Sequence, residues 1–265
     1  MNVRVNLENK SAIILHHYNY RDSSLIVNFF LSDFGKVSAI AKGVKGKKSK
    51  QNQLALFQPF QKLTVSLTGK QELLILKSIE LTSQSNFEPI LSAWDLSGKS
   101  LYCAYYINEL LLRLLPSHTD CSEIFSLYEQ VLNILSHSSD QESSTQGSSN
   151  QYDLKHFEAP LRIFELKFLE YLGYGLNLSH DIQSDLPIDI EKQYYYIIDS
   201  GPTESSLNGI KNLEISGKTL IDLSHAKLSD KKTLQESKQL LKWAIAEHLD
   251  NKPLKSREMF KQLYC

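Results

Sequence analysis

The sequence predicts an α+β fold, in which a small N-terminal β-barrel precedes an α-helical bundle with a small irregular or β insert. The first 80 residues contain short segments rich in β-branched and aromatic residues, which are typical of strands. From Leu91 onward, apolar residues recur at helical spacing. Residues 175–223 return to short apolar runs between turn sequences, which indicates an insert among the helices.

Five strands are predicted in the N-terminal part. The first three are "SAIILHHY", "SLIVNFFLS" and "KVSAIAKGV", joined by the turn sequences "NYRD" and "DFG". A lysine-rich segment follows, and then "FQKLTVSLT" and "QELLILKSIEL", with Gly69 in the turn between them. Five short strands with this arrangement favour a closed barrel, for which the OB-fold is the natural candidate. We therefore assign residues 1–82 to an OB-fold nucleic-acid-binding domain.

Helical periodicity predicts the next domain, over residues 83–174. One helix lies within "LSAWDLSGKSLYCAYYINELLLRLL" and ends before Pro116, and a second spans "CSEIFSLYEQVLNILSH". A third, "APLRIFELKFLEYLGYG", is predicted with Pro160 near its first turn and Gly173 as its C-cap. The segment 138–151 has no apolar side chain, so we expect a flexible loop there.

The rest of the chain is predicted to hold a variable insert and two closing helices. Within the insert, residues 175–223, "QYYYIID" and "KTLIDL" look like short strands. Residues 224–265 are predicted to complete the helical domain. Their first helix, "SDKKTLQESKQLLKWAIAEHL", has a cap at Ser229 or Asp230, and the second is "KPLKSREMFKQL".

Positive charge is concentrated in the N-terminal third. The whole chain has a formal net charge of -1, but residues 1–80 carry +7 and residues 81–265 carry -8. A cluster of lysines follows the third strand, at Lys42, Lys45, Lys47, Lys48 and Lys50. Such a basic face favours a polyanionic partner. The alternative is a solvated loop that only opposes aggregation.

No motif indicates catalysis or a bound cofactor. The segment "GVKGKKS" has two residues between its glycines, whereas a phosphate-binding loop needs four. There is no GxGxxG or HExxH motif, and we interpret Asp185, Asp189 and Glu191 as ordinary loop acids. The three cysteines are scattered, which fits a reducing cytoplasm. Neither a membrane span nor a secretory signal is predicted.

Polar residues inside two apolar helices have more than one interpretation. Asn108 and Glu109 interrupt the first helix, and Arg113 lies four residues after Glu109. An ion pair at this spacing is the favoured interpretation, and a polar anchor between domains is the alternative. Arg162 lies in the apolar segment "PLRIFEL", where an arginine facing solvent is the default.

Four sequence blocks resemble the RecO family of bacterial recombination mediators. They are "AIILHHYNYRDSSLIVNFFLSDFGKVSAIAKGVKGKKSK", "YYINELLLRLL", "LRIFELKFLEYLGYGLNL" and "KPLKSREMFKQL". They occur in the order expected for the family and reach from about residue 12 to residue 263. The resemblance implies an N-terminal OB-fold, a helical bundle and a variable insert.

The resemblance also implies a function that needs no catalysis. RecO-like proteins bind single- and double-stranded DNA without sequence specificity and anneal complementary strands without nucleotide hydrolysis. With RecR they help to load RecA onto DNA coated by single-stranded-DNA-binding protein, whose C-terminal tail is acidic and apolar. A cytoplasmic, nucleoid-associated protein of the RecF pathway is therefore expected. Many members bind zinc through four cysteines in the insert, but residues 173–223 contain no cysteine here, so neither a metal nor another cofactor is expected.

Two sets of site residues follow from these arguments. The phosphate backbone is expected to contact Arg21 and the cluster Lys42, Lys45, Lys47, Lys48 and Lys50. The tail of the coat protein is expected to meet Arg162, which matches the family block "LR.FEL", together with Leu161, Phe164 and Phe168. For Arg162 the alternative is an exposed side chain paired with Glu158 or Glu165.

Two other classes of function are carried alongside the DNA-binding mediator. One is an adaptor that docks partner proteins and has little DNA binding of its own. The other is a DNA enzyme such as a nuclease, which is disfavoured because the acids do not cluster as two metal ions would require.

Overall fold

The computed structural model describes residues 4–45, 54–70, 73–82, 94–117, 119–137, 153–207 and 209–264. The chain divides into two compact units. Unit 1 comprises Met1–Glu142 with Leu254–Cys265, and unit 2 comprises Ser143–Pro253. None of the helices in the described ranges is long and apolar enough to cross a membrane.

Unit 1 contains a closed five-stranded barrel, which confirms the predicted strands and the OB-fold. Its strands are β1 (Val5–Tyr20), β2 (Ser24–Leu31), β3 (Gly35–Ala41), β4 (Lys62–Gly69) and β5 (Leu73–Leu81). They close in the order β1-β2-β3-β5-β4, and only the β3–β5 pair is parallel among these strands. Closure leaves no open sheet edge.

Alternation along β3 shows how the sequence makes a barrel. Val37, Ala39 and Ala41 belong to the buried core, whereas the intervening Ser38 and Ile40 are only half-buried. Successive side chains of a strand point to opposite faces. One face of β3 therefore fills the barrel, and the other is left for contacts outside it.

Among the described residues of unit 1, three α-helices accompany the barrel: α1 (Gly98–Leu114), α2 (Ser122–His137) and α6 (Lys255–Tyr264). All three were predicted. Asn108 of α1 is buried and donates a hydrogen bond to the backbone oxygen of Leu15 in β1, at 2.8 Å. Its Oδ1 accepts from the hydroxyl of Tyr128 in α2, at 2.6 Å. One amide therefore joins α1 to both the barrel and α2.

Glu109 performs a second joining role, at the start of α6. Its carboxylate accepts hydrogen bonds from the backbone N–H groups of Lys255 (2.9 Å) and Ser256 (2.8 Å) and from the Ser256 hydroxyl (2.6 Å). The first N–H groups of a helix have no partner within it, and a negative charge is favourable there. The expected pair with Arg113 is also present, at 4.0 Å.

The alternative interpretation, in which Asn108 and Glu109 are polar anchors, therefore describes their contacts. These contacts explain why α1 and α6 fall in the same compact unit as the barrel. The predicted boundaries at 82/83, 174/175 and 223/224 divide the chain differently and stay a prediction.

In its described part, unit 2 combines three helices with a small antiparallel sheet. The elements are α3 (Asp153–Tyr171), β6 (Gln193–Ile197), β7 (Gly201–Thr203), β8 (Leu213–Ser216), α4 (Gly217–Ser224) and α5 (Lys231–His248), and the sheet order is β7-β6-β8. The predicted strand "QYYYIID" and the Asp230 cap of α5 are confirmed. Gly173, at φ +85°, follows α3 as predicted. The segment 138–151 lies outside the described residues.

Two local predictions in unit 2 were wrong. "KTLIDL" forms helix α4 and not a strand, because the Ser216 side chain accepts from the N–H of Thr219 and caps a first turn. Pro160 lies inside α3 and not in its first turn, because the helix begins at Asp153. The apolar pattern, which suggested a start at residue 159, therefore covers only the later part of the helix.

Asp181 ties the insert together through its carboxylate. It is buried; its Oδ1 accepts from the N–H groups of Gln183 and Ser184 and its Oδ2 from that of Glu204, all at 2.8 Å. Burial acts to raise the pKa of Asp181, but the hydrogen bonds from Ser184, Gln183 and Glu204 lower it overall. The ionised carboxylate thus connects the loop after α3 to the segment after β7.

We expect Asp181→Asn to lower the free energy of unfolding by about 2 kcal/mol at neutral pH, since hydrogen bonds to a charged group are lost. The folded-state pKa lies below that of an unfolded aspartate, about 3.9. The contribution is therefore full above that pH and is lost as the pH falls through the folded-state value. Urea unfolding in steps from neutral pH to about pH 3 measures this. Exposed Asp185, at φ +56°, is the control, because Asn tolerates that backbone. Equal losses for the two variants would contradict the role of Asp181.

Candidate nucleic-acid interface

The turn between β1 and β2 meets the start of the lysine cluster at one end of the barrel. Leu25 pairs with Ala41 across β2 and β3, and the backbone N–H of Lys45 donates to the oxygen of Ser23 at 3.1 Å. An open depression of about 540 Å³ lies between the two segments. It is lined by Tyr20, Arg21, Asp22, Ser23, Ser24, Ile40, Lys42 and Gly43.

Three of the six predicted DNA-binding residues lie in the described ranges, and all three are at this end of the barrel. Arg21 and Lys42 are exposed and line the depression. The Arg21 guanidinium lies 5.2 Å from the centre of the Tyr20 ring, which is a cation–π distance. Asp22 is the one acid of the lining, so the two cations outnumber it.

Lys45 has a different environment from its neighbours. Its Nζ lies 3.1 Å from Oδ1 of Asn19 and 3.4 Å from the backbone oxygen of Arg21. These contacts fix the lysine segment against the β1–β2 turn. Lys45 therefore positions the start of the cluster as well as adding charge to it. Lys47, Lys48 and Lys50 lie outside the described residues.

Sequence reasoning missed the rings on the outer face of β1. His16, Tyr18 and Tyr20 pair with Asn28, Ile26 and Ser24 of β2, whereas Val27 and Leu25 face the core. The three rings therefore lie on the outside of the barrel. The period-2 pattern of "HHYNY" was the available signal. The alternation does not continue from the earlier part of the strand, because the pairing register of β1 with β2 shifts between Ile14 and His16.

His16 has a pKa below the ordinary histidine value. Partial removal of the ring from water is the main cause, and the positive charges of His17 and Lys255 add to it. At neutral pH the imidazole is therefore uncharged and behaves as an aromatic ring with polar nitrogens. Lys255, the first residue of α6, lies near His16 and therefore near one end of the three rings.

The four residues that are predicted to meet the acidic tail are buried. Phe164 and Phe168 are fully buried, and Leu161 and Arg162 are buried too. The Nη2 of Arg162 donates to Oε1 of Glu165 at 2.6 Å. Glu165 is the partner that the alternative interpretation named, but the pair lies in the interior. An apolar helix with one arginine has the same sequence pattern whether it forms a buried ion pair or a docking groove.

The described residues contain no group of three His, Cys, Asp or Glu side chains that could hold a metal ion. Two of the cysteines, Cys103 and Cys121, are buried thiols. Residues 173–223, where the family places its zinc ligands, carry no cysteine at all. This donor set does not fit a thiolate zinc site.

Comparisons with known proteins agree along nearly the whole chain. Residues 5–85 match the family description "Recombination protein O N terminal", and residues 96–145 and 151–258 match "Recombination protein O C terminal". A protein named DNA repair protein RecO from Nitrosococcus oceani is 35% identical over 252 residues, which cover 95% of this chain and 92% of that protein. Proteins of the same name from Dechloromonas aromatica and Coxiella burnetii are each 35% identical, over 263 and 262 residues. These two alignments cover 99% and 98% of this chain and 99% of each relative.

Proposed function

The chain belongs to the RecO family of DNA repair proteins, and from this membership we propose that it is a recombination mediator. In this role it binds single- and double-stranded DNA without sequence specificity and anneals complementary strands. With RecR it helps to load RecA onto DNA coated by single-stranded-DNA-binding protein. It works in the bacterial cytoplasm, at the nucleoid.

The observation that best supports this proposal is the position of Arg21 and Lys42 beside an open depression at one end of the barrel. The lysine cluster continues from that point along the chain. Lysine and arginine contacts to phosphate supply affinity without reading sequence. OB-fold barrels bind oligonucleotides on one face and in adjacent loops.

Annealing follows from charge neutralisation and does not need a reacting group. Two complementary strands repel each other through their phosphates, and a cationic surface that binds both removes this repulsion. Base pairing then supplies the specificity. The proposal therefore assigns no catalytic residue, and we propose that the protein is not an enzyme.

The proposed function includes two protein partners, the coat protein and RecR. Binding of the coat protein's acidic tail brings the mediator to coated DNA, and RecR acts with it to admit RecA. We do not assign the tail to Arg162, because that side chain is buried against Glu165.

Strand annealing measured with and without the coat protein tests the proposal. We expect the protein to accelerate pairing of two complementary labelled strands, both bare and coated, without any nucleotide. An adaptor with little DNA binding of its own would form partner complexes but leave bare strands unaffected. A nuclease would shorten labelled DNA in magnesium or manganese, and that product would contradict the proposed role.

A further inference from the structure

The outer face of β1 carries a row of rings that the lysine cluster does not explain. His16, Tyr18 and Tyr20 occupy alternate positions of one regular strand segment, and their rings share one side of the sheet. We call these three residues the ring row. Tyr18 is 47% exposed, and His16 is exposed as well. An exposed aromatic surface of this kind is available for contact with a partner.

Beside the ring row, an apolar band lies next to a polar pair of side chains. Tyr18 pairs with Ile26, which pairs with Ile40, so these three side chains form an apolar band. Next to it, Asn28 donates a hydrogen bond to the hydroxyl of Ser38 at 3.0 Å. Asn28 is itself buried, so it is the apolar band of Tyr18, Ile26 and Ile40 that suits the face of a nucleobase.

Spacing along the ring row favours an extended strand over a duplex. Alternate residues of a strand lie roughly 7 Å apart. Bases within one strand of a duplex rise only about 3.4 Å per nucleotide. The rings can therefore accept successive bases of an unstacked single strand, but not the stacked bases of a duplex, which are also closed off by pairing.

Charges lie at both ends of the ring row. Arg21 and Lys42 line the depression next to Tyr20, and the charge of Lys255 acts on His16 at the other end. Partial desolvation, His17 and Lys255 together lower the pKa of His16, which favours the neutral imidazole. A backbone that runs along the row would meet cations at each end while its bases face the rings.

We propose that the ring row is a base-stacking surface for single-stranded nucleic acid, with Tyr18 as its central stacking residue. The depression beside Tyr20 receives the next nucleotide, whose phosphate lies against Arg21 and Lys42. This inference rests on the proposed DNA-binding function and adds a specific consequence. Phosphate contacts hold single and double strands alike, whereas Tyr18 favours the single strand.

The test compares two oligonucleotides of equal length and equal charge by fluorescence anisotropy. One is oligothymidylate, and the other is an abasic strand with the same phosphates. We expect wild type to bind oligothymidylate about tenfold more tightly than the abasic strand. Tyr18→Ala should remove most of this preference and leave both the abasic affinity and the duplex affinity unchanged. Its salt dependence should also stay that of wild type, because no phosphate contact is lost.

Two further variants separate stacking from general effects. Tyr18→Phe keeps the ring and should behave like wild type. Tyr174→Ala removes a tyrosine that is also 47% exposed but lies in unit 2, and it should leave the preference intact. An unchanged preference in Tyr18→Ala, or no preference in wild type, would overturn the stacking role and leave the proposed function standing. Failure of wild type to bind either oligonucleotide would overturn the proposed function and the stacking role together.

Discussion

Replacing Lys45, Lys47 and Lys48 with alanine should flatten the salt dependence of single-strand binding by about two units of slope. If wild type neutralises about four phosphates, the logarithm of its affinity falls with the logarithm of salt at a slope near -3. A fourfold rise in salt then costs wild type roughly 50-fold in affinity, but the variant only a few-fold. Titrations of one labelled oligonucleotide at a series of salt concentrations measure both slopes.

A control with the same loss of charge makes this result specific. Lys227, Lys231 and Lys242 are exposed lysines of unit 2, and their replacement with alanine should leave the slope unchanged. If the control flattened the slope and the cluster variant did not, the DNA site would lie away from the barrel. Lys45 also holds Asn19, so the melting temperature of the cluster variant should be checked against wild type.

Arg162→Ala should lower the free energy of unfolding by about 3–5 kcal/mol, because it leaves the buried Glu165 carboxylate without its arginine. The same helix supplies a matched control. Lys167 and Glu170 form a pair with the same three-residue spacing, at 2.8 Å, but their side chains are 55% and 62% exposed. Lys167→Ala should therefore cost less than about 1 kcal/mol. Urea unfolding followed by circular dichroism compares the two.

A double variant separates the structural role of Arg162 from a role in binding. Arg162→Met with Glu165→Leu replaces both charges by apolar side chains and should recover most of the lost stability, as for other buried ion pairs. This folded protein lacks the cation. Wild-type affinity for a peptide with the acidic tail sequence would agree with the buried position of Arg162. A loss of about tenfold would reinstate Arg162 in the tail site and contradict the reading of the structure.

The barrel could be predicted from the sequence because its information is local. The strands β3 and β4 largely alternate buried and half-buried residues, and the turn sequences "NYRD" and "DFG" separate the first three strands. The strands that these turns join pair with each other in the barrel. The closing pair between β3 and β5 joins segments separated by the lysine cluster, so it followed from the fold class and not from any local pattern.

The candidate site was predictable only in part, because charge is visible in a sequence and burial is not. The lysine cluster stood out, and Arg21 and Lys42 do lie together. The burial of Arg162 could not be predicted, because an arginine beside phenylalanines has the same sequence pattern whether the helix face is exposed or buried. Helix α4 was missed for a related reason. Its apolar residues are few, and only the Ser216 cap distinguishes it from a strand.

The contact between Glu109 and the start of α6 has a consequence for the order of events during protein synthesis. The two partners are separated by 146 residues, and all of unit 2 lies between them. At bacterial translation rates of 5–20 residues per second, Glu109 waits roughly 7–30 s for Lys255 to be made. During that interval the nascent barrel has α1 and α2 but not the helix that covers the tyrosines of α1. Unit 1 can therefore finish folding only after the ribosome has passed unit 2.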